Sequence, residues 1–222
     1  MASFACPERR VQQLKSDLFG AIWQEVDCGR TVVVRDTGAA RWWLAWLARR
    51  LCRREARALE HLDGLPGVPR LLAADARSLR REWIEGRPLQ LARPRNAAFF
   101  RAARRLLSEM HRRGVAHRDL AKEPNWLVTP TGAPAIVDFQ LALVSRRRGR
   151  LFRSFAREDL RHLLKHKRSY CPERLTARER RILATPAAGS RLWRALGKPA
   201  YLFITRRLLG WADREGAGDR RF

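Results

Sequence analysis

Residues 117–140 read HRDLAKEPNWLVTPTGAPAIVDFQ, and no other stretch restricts the fold as tightly. Two short apolar runs, Trp126-Leu127-Val128 and Ala135-Ile136-Val137, flank a turn at Pro130-Thr131-Gly132. Runs this short, joined through Pro and Gly, form a two-stranded hairpin and not a helix. A hairpin brings its outer ends together, and here those ends are polar. Asn125 precedes the first run, Asp138 follows the second, and Asp119 lies shortly upstream, after His117-Arg118. A chain that forms this hairpin gathers these three side chains in one place.

Their chemistry is specific. An amide oxygen and a carboxylate oxygen at neighbouring strand ends suit Mg²⁺, which takes a few protein ligands and completes its shell with water and phosphate oxygens. A further carboxylate nearby, Asp119, can orient a hydroxyl nucleophile. Such a set points to phosphoryl transfer, where positioning and charge neutralisation account for most of the catalysis.

The stretch resembles the catalytic and metal-binding loops of the protein-kinase superfamily, H-R-D-x-x-x-x-N followed by D-F-G. It is most similar to the small bacterial members, the RIO-like and lipopolysaccharide (Kdo) kinase-like proteins. The resemblance spans roughly residues 11–165 and implies an α+β, two-lobed protein-kinase-like fold in a single domain over 1–222. A small antiparallel-sheet N-lobe would take about 1–84, a hinge about 84–89, and a compact, mostly helical C-lobe about 90–222. The implied cofactors are ATP and Mg²⁺. Asp119 would orient the acceptor hydroxyl, Lys122 would steady the transferred phosphate, and Asn125 and Asp138 would hold the metal. The implied acceptor is a protein Ser/Thr or a lipopolysaccharide core sugar. The chain departs from the pattern twice here: five residues separate Asp119 from Asn125 where the family has four, and Gln140 stands where Gly is commoner.

Upstream, alternation and β-branched content place strands near 11–15, 20–26 and 31–35. In the resemblance, residues 15–20 would form the loop over the ATP phosphates, with Lys15 or backbone N–H groups near Gly20 touching phosphate. Only one Gly is present there, so the G-x-G-x-x-G signature is missing. Val32-Val33-Val34-Arg35 stands where the family has V-A-I-K. Arg35 keeps the charge with a different reach and fork geometry, and Lys15 is a substitute on position alone. Residues 41–62 form a long helix in which Glu55 matches the Glu that pairs with the strand Lys, so an Arg35–Glu55 ion pair is expected, with Glu60 the competing partner. Trp42, Trp43 and Trp46 are expected to pack against the sheet. Their mixture with Arg41, Arg49 and Arg50 also suits an interfacial amphipathic helix.

Further strands are expected at 70–74 and 78–83. Residues 84–89 resemble the hinge, where backbone at Glu82 and Ile84 would receive adenine. Asn96 caps a helix to about Arg113 with Phe99, Ala103, Leu106, Leu107 and Met110 on one face. A helix over 156–164 would carry Asp159 as a buried brace for the catalytic loop. A rival alignment assigns Cys171-Pro172-Glu173 to the family's A-P-E. His162 and His166 have the i, i+4 spacing of zinc pairs but no third ligand. Thr176 and Glu179 form a capping box for a helix to 184. Residues 190–210 are core by composition, and the tail from Asp213 is expected to fray.

The formal net charge is +25, and nearly all of it is Arg, because Lys is found only at 15, 122, 165, 167 and 198. An anionic partner explains this charge, and so does a solvated Arg-rich surface. Four scattered cysteines without C-x-x-C fit a reducing compartment. The longest apolar run, Trp42–Ala48, is too short to span a bilayer, and the first residues lack the apolar core of a signal peptide. The expectation is a cytoplasmic protein, peripheral at the inner face of the cell membrane if its partner is an anionic membrane surface. Two other functions compete with a phosphotransferase. One is a catalytically weak kinase-like binding module, motivated by the glycine-poor loop and Arg35. The other is a nucleic-acid-binding protein, motivated by charge alone and disfavoured by the three residues Asp119, Asn125 and Asp138.

Overall fold

The structure, a computed structural model, describes residues 10–27 and 29–185. The expected core over 190–210 and the tail lie outside the described residues. The chain divides into two compact units, Met1–Glu179 and Arg180–Phe222, and the candidate site lies in the first.

The fold is α+β. Strands β1 (Arg10–Asp17), β2 (Gly20–Asp27) and β3 (Arg30–Asp36) lead into helix α1 (Ala45–His61), followed by β4 (Leu71–Ala74) and β5 (Ser78–Glu82). These five strands form one antiparallel sheet in the order β1-β2-β3-β5-β4. Then come β6 (Arg87–Pro88), the short helix α2 (Leu89–Ala92), α3 (Ala97–Arg112), β7 (Val115–Ala116), β8 (Trp126–Val128), β9 (Pro134–Ile136), β10 (Leu143–Val144), α4 (Arg150–Tyr170) and α5 (Ala177–Ala184).

Three elements differ from the sequence expectation. The loop expected over 15–20 is a two-residue turn, because β1 continues through Asp17 and β2 begins at Gly20. The Asp17 carboxylate accepts from Phe19 N at 2.8 Å and fixes the turn locally. Gly20 has φ +126°, and a Cβ there would lie 2.1 Å from Asp36 O, so only glycine fits. The helix expected from residue 41 begins at Ala45, after a turn over Trp42–Leu44. It turns Ala48, Cys52, Glu55, Ala56, Ala58 and Leu59 inward. That rotation leaves the tryptophans outside and overturns the expectation that they pack against the sheet: Trp42 is 88% exposed and Trp46 63%. The helix expected over 156–164 runs from Arg150 to Tyr170.

Other elements follow the pattern. Asn96 accepts from Ala98 N at 2.8 Å, and α3 buries Phe99, Ala103, Leu106, Leu107 and Met110. β8 and β9 pair antiparallel, Trp126 opposite Ile136, and β6 joins them beside β8. Thr176 and Glu179 exchange backbone-to-side-chain hydrogen bonds at 2.9 and 3.2 Å, a complete capping box.

The core runs under the hairpin, with Trp126 and Phe139 fully buried against α1, α3 and α4 residues. The loop after α1 is stitched to β9: Ile136 N donates to Gly67 O at 2.8 Å. Gly67 has φ +84°, and a Cβ there would approach Pro134 O to 2.7 Å. This contact fixes α1, and hence Glu55, against the hairpin. Cys52 and Cys171 are buried and form no disulfide. No helix among the described residues is long and apolar enough to cross a membrane.

Candidate active site

The hairpin delivers its ends as the sequence demands. Val137 N donates to Asn125 O at 3.0 Å, so Asn125 and the residue before Asp138 are bonded neighbours. The five residues between Asp119 and Asn125 lead into a 3-10 turn over Glu123–Asn125. Asn125 is buried, and its Nδ2 donates to Asp119 O at 2.9 Å and Asp119 Oδ2 at 3.2 Å. With the amide nitrogen so used, its oxygen is the atom that can meet a hard cation. Lys122 Nζ lies 3.0 Å from Asp119 Oδ2. Asp138 adopts a left-handed backbone (φ +67°), uncommon outside glycine and asparagine and concentrated at functional positions. Gln140 Nε2 donates to Asp138 Oδ1 at 2.6 Å. Gln140 therefore holds the carboxylate in place.

The loop beneath is held by α4. Asp159 is fully buried and accepts from His117 N and Arg118 N, both at 2.8 Å, and meets His111 Nε2 at 3.1 Å. Arg118 has φ +71°, which turns successive N–H groups onto one carboxylate. His117 is also fully buried; its Nε2 donates to Val137 O at 3.0 Å and its Nδ1 accepts from Asp119 N at 3.3 Å. One imidazole thus ties the Asp119 segment to the Asp138 segment. His166 Nε2 donates to Leu120 O at 2.8 Å, and Tyr170 Oη donates to Glu123 at 2.9 Å. Asp159, not Cys171-Pro172-Glu173, meets the loop backbone.

His162 on the same helix has a buried Nδ1 without a hydrogen-bond partner. Burial, the largest cause, lowers its pKa from 6.5 to about 4. The folded chain binds this proton less readily than the unfolded chain, so stability is full above about pH 6.5 and declines as pH falls toward 4. Between pH 7 and pH 5 this group is expected to remove about 2 kcal/mol of stability, read as a drop in urea midpoint that His162→Gln diminishes. Burial pushes His166 in the same direction.

On the sheet side, Glu55 is fully buried between two guanidiniums. Arg35 Nε lies 3.3 Å from Oε2, and Arg81 Nε 3.3 Å from Oε1. Neither carboxylate oxygen has a well-aligned hydrogen bond, so the attraction is chiefly Coulombic. Sequence reasoning found the Arg35–Glu55 pair and missed Arg81. Its signal was strand alternation: Leu79 is buried, and Arg81, two residues on, shares its face. Burial is the largest influence on Arg81 and lowers its pKa, while Glu55 and then Asp138 act to raise it.

The remaining candidates stand apart. Lys15 is exposed on β1 and pairs with Asp17 at 3.5 Å, and Gly20 is packed on Asp36 O in the tight turn. Glu82 and Ile84 line a cavity of about 550 Å³ with Asp63–Val68, and Asp119, Asn125 and Asp138 are not among its lining residues. Glu60 is exposed and takes no part in the triad. Among the described residues no three His, Cys, Asp or Glu side chains converge as a metal cluster; the Asp119–Asn125–Asp138 set has two carboxylates and one amide.

No protein-family model matches the chain, and no curated protein matches it.

Proposed function

We propose that the chain is an ATP- and Mg²⁺-dependent phosphotransferase of protein-kinase-like fold, acting on a hydroxyl acceptor. One observation carries this reading: His117, Asp119 and Asn125 are joined by hydrogen bonds, and His117 and Asn125 both bond the backbone of Val137, the residue before Asp138. A chain that only needed a stable hairpin would not bury an Asn and aim it at an Asp, since buried polar groups cost stability unless paired. When bound, Mg²⁺–ATP supplies the phosphoryl group and the counter-charge for its transfer. Asp119 orients the acceptor hydroxyl and takes its proton. Lys122, now on the Asp119 carboxylate at 3.0 Å, is within reach of a phosphate brought to the same place. Asn125 and Asp138 hold the metal. Arg35 and Arg81, sharing one Glu55, leave a net positive charge to face the nucleotide phosphates. The acceptor class is a protein Ser/Thr or a lipopolysaccharide core sugar, and a cytoplasmic position serves the use of ATP.

The test is transfer of label from γ-labelled ATP, with Mg²⁺, to bacterial lysate proteins and to lipopolysaccharide. The absence of both Mg²⁺-dependent ATP binding and label transfer would overturn the reading. The tight two-residue turn between β1 and β2 favours a second reading, a kinase-like binding module, because no long loop covers the phosphates. Binding without transfer is its outcome. Gln140→Ala removes the partner of Asp138 and is expected to weaken Mg²⁺ affinity about 10-fold or more, seen by titrating Mg²⁺ against nucleotide binding.

A further inference from the structure

The phosphotransfer reading leaves the start of α1 unused. Trp42 is 88% exposed, Trp46 63% and Trp43 39%. Single exposed apolar side chains are ordinary, but three indoles within five residues form a patch, and patches mark interaction sites. The charge carried by this stretch has one sign. Residues 37–54 contain Arg41, Arg49, Arg50, Arg53 and Arg54 and no Asp or Glu. Arg41, Arg50, Arg53 and Arg57 are exposed, and Trp46, Arg50, Arg53 and Arg57 follow at helical spacing along the outward side of α1. The first acid on the helix, Glu55, is buried against Arg35 and Arg81, so its charge is compensated inside. The first turn of α1 carries no acidic residue, and its helix end adds partial positive charge. Arg41 N donates to Leu18 O at 3.3 Å, which anchors the indole-bearing turn to the β1–β2 hairpin.

We propose that this face docks the protein onto an anionic lipid bilayer, with Trp42, Trp43 and Trp46 at headgroup depth and Arg41, Arg50 and Arg53 on lipid phosphates. Indole rings combine an apolar body with a polar N–H and favour that layer. Guanidiniums pair with phosphate through charge-assisted hydrogen bonds. Single-stranded nucleic acid also takes aromatics and arginines, but it lies in grooves. Trp46 projects from the outer face of α1 and Trp42 and Trp43 are exposed in the turn before it, and none of them lines the cavity beside α1 at Cys52–His61. The inference stands apart from phosphoryl transfer: the site residues of that reaction lie elsewhere, and docking needs no nucleotide.

Full-length protein is sedimented, without nucleotide, with vesicles of phosphatidylcholine alone or of phosphatidylcholine and phosphatidylglycerol. Binding is expected only to the mixed vesicles and is expected to weaken with salt. Trp42→Ser/Trp46→Ser changes exposed side chains only, so its thermal midpoint should match the parent while its partitioning falls about tenfold or more. Arg50→Gln/Arg53→Gln should lower partitioning about 30-fold, from about fivefold for each basic residue near an anionic surface. The proposal is overturned if either pair of substitutions leaves vesicle binding intact, or if neutral vesicles bind equally well. It is also overturned if the substitutions abolish self-association or RNA binding in a protein that ignores vesicles.

Discussion

Asp138→Ala is expected to abolish Mg²⁺-dependent nucleotide binding, and Asp119→Asn is expected to leave that binding in place while lowering label transfer about 10²–10⁴-fold. The two carboxylates sit in one constellation but are held differently, and the difference separates their effects. Asp138 Oδ1 is fixed by Gln140, and the residue follows a strand end bonded to Asn125. In the proposed site, removing it deletes the one charged metal ligand and leaves a single amide oxygen, too little for a cation that needs oxygen ligands of high charge. Asp119 Oδ2 faces Lys122 and the Asn125 amide at 3.0 and 3.2 Å. Asparagine there preserves the shape of the loop and, in the proposed mechanism, loses the charge that takes the hydroxyl proton and pairs with Lys122. Isothermal titration with ATP, at fixed Mg²⁺, and label transfer under single-turnover conditions read the two effects separately. An Asp138→Ala protein that binds nucleotide in a Mg²⁺-dependent way would place the cation elsewhere. An Asp119→Asn protein with parental transfer would remove Asp119 from the chemistry.

Short-range pattern was enough for the hairpin, because Trp126–Val128 and Pro134–Ile136 are bounded by a turn and by polar ends that admit one register. It was enough for α3 as well, where the Asn96 cap and five periodic apolar residues agree. The Arg35–Glu55 contact was legible only through resemblance, since the two residues meet through a strand-to-helix packing that spacing does not encode. Arg81 was hidden by its chemistry: an arginine in a strand is normally assigned to solvent, yet the period of two from buried Leu79 turns it inward. The tryptophans misled for the opposite reason. Large apolar side chains are assigned inward by default, but α1 begins only at Ala45 and its inward face is already filled by Ala48, Cys52, Ala56 and Leu59. The loop expected over 15–20 closed to two residues because Asp17 caps Phe19 N and Gly20 permits close approach to Asp36. That local chemistry is readable in principle and was outweighed by the expectation of a phosphate-covering loop.

Glu55→Leu is expected to cost about 3–5 kcal/mol of stability, seen as a fall in urea midpoint, because it leaves two largely desolvated guanidiniums with no counter-charge between them. The same substitution in an Arg81→Met background is expected to cost much less. There only Arg35 remains, its side chain still 13% exposed, and the apolar pair fills the volume that Glu55 and Arg81 occupied. The difference between the two costs is the coupling between Glu55 and Arg81. Equal costs in both backgrounds would mean that Glu55 does not compensate Arg81, and the triad would reduce to the Arg35–Glu55 pair alone. Nucleotide affinity should move the other way from stability. The stable Glu55→Leu/Arg81→Met protein has lost one of the two cations proposed to face the phosphates and the group that orients the other, so it should fold well and bind ATP poorly. Such a separation is expected if the triad stores charge for phosphate at the expense of packing, since an interior chosen for stability alone would favour the apolar replacement.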